Sequence, residues 1–87
     1  MEKQKLFTTL REMIKQGLLH CTFAFAWHGR AFTVTRIYQD TDDELLIDYR
    51  TPEYSRDSFD MSGLTFSFLD TLVYEAKLQC QRDRNLF

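Results

Sequence analysis

A chain of 87 residues, 44% hydrophobic and 15% aromatic, has room for one compact α+β domain spanning 1–87, in which a few large rings supply most of the buried area. Three glycines, one proline and two cysteines without CxxC spacing exclude solenoids, low-complexity linkers, a disulfide framework and a zinc ribbon. The formal net charge of −2 disfavours general nucleic-acid affinity. It also hides an asymmetry: residues 40–60 hold eight acids against Arg50 and Arg56, while the rest of the chain has five acids and nine bases.

The predicted elements begin with a helix over Glu2–Gln16, in which Leu6, Phe7, Leu10, Met13 and Ile14 share one face. Lys3, Lys5, Arg11 and Lys15 fall largely outside that stripe. Gly17 supplies a left-handed stop, after which Leu18 can fold back onto Met13. Residues 22–27 then alternate as a strand does, with Phe23, Phe25 and Trp27 on one side and Thr22, Ala24 and Ala26 on the other. A two-residue turn at His28-Gly29 or Gly29-Arg30 returns the chain, and its parity adds Phe32 and Val34 to the aromatic side. The smooth side then collects Thr22, Ala24, Ala26, Ala31, Thr33 and Thr35, interrupted by Arg36.

After the polar turn Asp40–Asp43, Leu45, Ile47 and Tyr49 mark a third strand, which Thr51-Pro52 ends. Residues 53–62 read as a polar connection that can hold a short edge strand anchored by Tyr54 and Phe59. From about Leu64 to Asp83 the pattern is helical, with Phe68, Leu69, Leu72, Val73, Ala76 and Cys80 on one stripe. The alternative is a fourth strand over Leu64, Phe66 and Phe68, followed by a helix capped by Ser67 and Asp70. The expected architecture is therefore helix, three-stranded antiparallel meander with four strands as the alternative, helix. Both helices cover the aromatic face of the sheet.

Chemistry finds little support. His20 and Cys21 are adjacent on extended chain and so point to opposite faces, and the acids Asp40, Asp42, Asp43 and Glu44 lack the spaced carboxylates and glycine of a calcium loop. Cys21 and Cys80 fall on inward stripes, where a free thiol behaves as a small hydrophobe. No nucleophile elbow or dinucleotide fingerprint occurs. The expectation is no catalytic, metal-binding or cofactor-binding residues.

Binding signals are stronger. Measured from Leu69, Tyr74 and Leu78 project far from the buried stripe of the last helix, the placement of an exposed anchor pair. Trp27, His28 and Arg30 at the hairpin tip combine an aromatic with a guanidinium. Asp40, Asp42, Asp43 and Glu44 can steer a basic partner. The longest uncharged run, Gly17 to Trp27, is too short and polar to span a bilayer, and the first residues lack the apolar core of a secretion signal, so a cytoplasmic location is expected.

The functional expectation is a small non-enzymatic protein-binding module, an inhibitor or regulatory accessory of a larger cytoplasmic protein. Chains of this size and character are frequent among phage and mobile-element products that block host nucleic-acid enzymes, anti-CRISPR proteins among them. The rival readings are a direct nucleic-acid binder using Lys3, Lys5, Arg11, Lys15, Arg30 and Arg36, and a structural homodimer built on the smooth face or on Tyr74 and Leu78.

Overall fold

A computed structural model describes residues 2–19 and 22–85. Helix α1, Glu2–Lys15, buries Phe7, Leu10 and Met13 and rests Leu6 and Ile14 on the margin of the core. Its stop is the one the sequence encodes. Gly17 takes φ 71°, its N–H donates to the Ile14 carbonyl at 3.0 Å, and the Leu18 N–H reaches back to the Met13 carbonyl at 2.9 Å, the paired bonds of a Schellman end.

Four strands follow in the spatial order of the chain, all antiparallel: β1 (Phe23–Trp27), β2 (Arg30–Gln39), β3 (Leu45–Arg50) and β4 (Ser55–Asp60). Trp27 pairs with Arg30, so the hairpin loop is His28-Gly29. Both residues have positive φ, 51° and 73°, as a type I′ turn requires. The resulting register sets Phe23 opposite Val34 and Phe25 opposite Phe32, and all four are buried while Ala24, Ala26 and Ala31 are exposed.

Beyond Val34 the expected parity changes. Val34 pairs with Tyr49 and Arg36 with Asp48, leaving Thr35 as an extra residue in β2. Its hydroxyl donates to the Asp48 carbonyl at 3.2 Å. Because the extra residue shifts the alternation by one, Ile37 rather than Arg36 turns inward, where it joins Leu45 and Ile47 in the core. A second irregularity lies between β3 and β4. Ile47 faces Phe59 and Tyr49 faces Arg56, so Asp57 and Ser58 together lie across from Asp48, whose carboxylate accepts the Ser58 N–H at 2.8 Å. Ser58 has φ 54°.

The sheet thus has four strands, and the fourth is the polar segment at 55–60 rather than Leu64–Phe68. After β4 a single 3₁₀ turn, Met61–Gly63, is capped by the Asp60 carboxylate, which accepts the Ser62 N–H at 2.9 Å. Helix α2, Phe66–Asn85, begins one residue after Thr65, whose hydroxyl accepts the Phe68 N–H at 3.3 Å. Thr65 replaces Ser67 as the cap. Both helices lie on the aromatic face, with α2 against α1 and β1, and α1 against β2. The core is a single cluster fed by every one of these layers, with Leu10, Ile47, Met61, Leu69 and Leu72 fully buried.

Candidate binding surfaces

The β2–β3 loop is built by one of its own acids. The Asp40 carboxylate accepts the N–H groups of Asp42 and Glu44, each at 2.9 Å, and the Asp43 N–H donates to the Asp40 carbonyl at 3.1 Å. Asp40 is therefore a holder of the loop, and Asp43 can take φ 62° because that bonding fixes it there. The consequence is that Asp42, Asp43 and Glu44 are exposed. They share a depression with Asp60 from the end of β4, Ser62, and Gln4, Phe7 and Arg11 from α1. Two bases border it through backbone oxygens: Arg11 donates to the Asp43 carbonyl at 3.4 Å and Lys3 to the Ser62 carbonyl at 3.2 Å.

The acids of 40–60 do not act as one patch. Asp48 is turned to the outer face of the sheet and bonded to Ser58. Glu53 lies at the other end of β3, where it meets Arg30 at 3.6 Å with both side chains exposed. A six-residue strand is about 20 Å long, so Glu53 is well beyond a screening length from Asp42.

At the hairpin tip Trp27 is committed to packing. Its ring sits edge-on to Phe68 at 5.2 Å and to Phe32 at 6.3 Å, and its indole N–H points to the Ser67 hydroxyl at 3.4 Å. His28 is exposed against the edge of that ring, 4.2 Å between centroids. The expected trio stays together at the tip with divided surroundings: Trp27 is partly buried, His28 occupies the strained turn position, and Arg30 has an acidic neighbour.

Beside Trp27 is a cleft that the sequence reading missed, lined by Trp27, Phe32, Tyr49, Tyr54, Leu64 and Phe68. Tyr54 and Leu64 come from segments without periodicity, so no local signal brings them to this place. The Tyr49 and Tyr54 hydroxyls are 3.3 Å apart. Burial raises the Tyr49 pKa above the ordinary value of 10.0, and the bond to Tyr54 adds to the shift.

The proposed anchor pair on α2 is corrected. Tyr74 is 62% exposed, but Leu78 is partly buried. Leu69, Leu72 and Ala76 are fully buried and Phe68 and Val73 nearly so, an arc centred about 30° from Leu69 that leaves Tyr74 opposite it. Phe66, at the start of α2, is exposed instead.

The outer face of the sheet carries neither helix. Residues 55–60 extend the sheet at its edge instead of folding across it. Ala24, Ala26 and Ala31 are open there, Thr33 and Thr35 are partly covered, and further along the Arg36 guanidinium stacks 3.9 Å over the Tyr38 ring, whose hydroxyl lies 2.7 Å from that of Ser58. Among the described residues no group of three or more His, Cys, Asp or Glu side chains is placed to hold a metal ion. His20, Cys21 and the side chain of Cys80 lie outside the described residues. No described helix is long and apolar enough to cross a membrane. Compared with protein families, with curated proteins and with solved structures, the chain finds no match.

Proposed function

We propose that the protein is a non-enzymatic protein-binding module, an inhibitor or regulatory accessory of a larger cytoplasmic protein, and that it docks through its acidic end. The observation that carries this reading is the convergence of Asp42, Asp43 and Glu44 with Asp60, from a separate segment, on one exposed depression. Exposed acids within a screening length of one another act together on an approaching basic surface, raising the association rate and selecting partners by sign of charge. A basic groove that normally holds nucleic acid suits such a surface. Phage and mobile-element inhibitors of host nucleic-acid enzymes, of the anti-CRISPR kind, are the class in which this mode of action is expected.

Direct nucleic-acid binding is the less supported alternative. Arg11 and Lys3 border the acids of the depression, Arg30 meets Glu53, and Arg36 lies over Tyr38, so the bases do not form one uninterrupted basic track.

The test is a pull-down from cells of the protein's own source with wild type and with Asp42, Asp43 and Glu44 all changed to Lys. We expect wild type to retain a nucleic-acid-binding protein that the triple variant releases, with retention by wild type weakening as salt rises. An identical partner set for both proteins removes the acidic end as the contact.

A further inference from the structure

The two edges of the sheet differ in protection. Edge strands expose a row of unpaired backbone groups, and proteins commonly block them with charges, bulges or proline. On β4 both a bulge and charges are present, the irregularity at Asp57–Ser58 together with Arg56, Asp57 and Asp60. On β1 there is neither. Phe23–Trp27 has no charge and no proline, and its five residues pair with β2 without a break.

The hairpin turn determines which groups are free. In a two-residue turn the flanking residues, here Trp27 and Arg30, form a hydrogen-bonded pair, and such pairs alternate along an antiparallel ladder. Phe23, Phe25 and Trp27 therefore bond to β2. The N–H and C=O groups of Ala24 and Ala26 point away from the sheet. Their methyl side chains are exposed on the outer face and are too short to screen those groups.

We propose that the free edge of β1 is a docking site for an extended segment of a partner protein, which adds to the sheet as a fifth strand. A second copy of the chain does not fit. Helix α2 packs over β1, and symmetric β1 pairing would bring two strands within about 4.8 Å and so force together two helices about 10 Å thick. A lone strand carries no helix and meets no such obstacle. The edge is uncharged, so it selects a segment uncharged at its centre. Ala24 and Ala26 leave room on the outer face for β-branched or aromatic side chains at alternate positions of the guest.

This inference deepens the protein-binding reading and rests on it, but its test does not depend on the acidic end. The probe is a capped synthetic peptide with the sequence RAFTVTR of residues 30–36, the natural antiparallel complement of β1, titrated into ¹⁵N-labelled protein. Wild type is expected to show saturable shifts centred on the amides of Ala24 and Ala26 with a dissociation constant near 1 mM or below, roughly 4 kcal/mol of binding. Exchange of those two amides, fast in the free protein, should slow about tenfold in the complex. The variant Ala24→Pro removes an outward donor and no ladder bond, which edge strands tolerate; it should keep the wild-type unfolding midpoint and lose the shifts. The triple lysine variant should keep the shifts, so failure of the acidic docking and failure of the edge docking can be told apart. Amides of Ala24 and Ala26 that are already protected in the free protein, that stay unmoved at millimolar peptide, or that shift with protein concentration alone overturn the proposal, the last in favour of self-association.

Discussion

At Tyr49 a single side chain records the chemistry of its surroundings. It is buried between Phe32 and Phe59, with ring centroids 6.1 and 6.2 Å away, and its hydroxyl meets that of Tyr54. Burial penalises the phenolate first, and the Tyr54 bond adds to the penalty. Since the folded-state pKa is raised, the associated stability is complete below the unfolded value of about 10 and is lost as pH climbs through the folded one. Wild type should therefore lose thermal stability more steeply than Tyr49→Phe above about pH 10, while the two run parallel below about pH 9. Ultraviolet titration should show a late ionisation step in wild type that is absent from Tyr49→Phe. Equal slopes above pH 10 would contradict the burial argument.

Among the elements, α2 begins at Phe66, close to the expected start near Leu64. Ser67 and Asp70 have the spacing of a capping box, yet Thr65 supplies the cap and the helix is already under way at Phe66. Thr65→Ala should cost about 1 kcal/mol in urea unfolding, the usual worth of such a cap, and Asp70→Asn well under half of that; the reverse order would restore the later start. Strand β4, the short edge strand that residues 53–62 can hold, is nearly silent in the sequence. Its sequence SRDSFD buries only Phe59, and that in part, so period-two hydrophobicity has almost nothing to act on. What makes it a strand is its pairing with β3 and the tight turn before it, where the Thr51 N–H donates to the Tyr54 carbonyl at 2.8 Å. The bulge at Thr35 is equally silent, because a threonine fits either face of a strand until the pairing is fixed.

At the scale of the whole molecule, one core joins both helices to the inner face of the sheet, so a truncation there is felt everywhere. Leu10, fully buried on α1, should cost about 2–5 kcal/mol when changed to Ala, a large part of the roughly 5–15 kcal/mol available to a domain; Thr8→Ala on the exposed side of the same helix should stay within about 0.5 kcal/mol. Equilibrium urea unfolding checks both. The chain's own pattern determined a great deal: both helices, the glycine stop, the hairpin with its two-residue turn, and the division of Phe23, Phe25, Phe32 and Val34 from Ala24, Ala26 and Ala31. Each of these depends on neighbours within a few positions, where periodicity and turn chemistry act directly. Tertiary structure decided the rest. It brought Asp60 to Asp42 and Glu44, assembled Tyr54 and Leu64 with Trp27, and set the extra residue Thr35 in β2 so that Ile37 and not Arg36 turns inward. Those outcomes depend on which strand pairs with which and on how two helices share one face, and contacts between residues distant in sequence carry no period for a linear reading to detect.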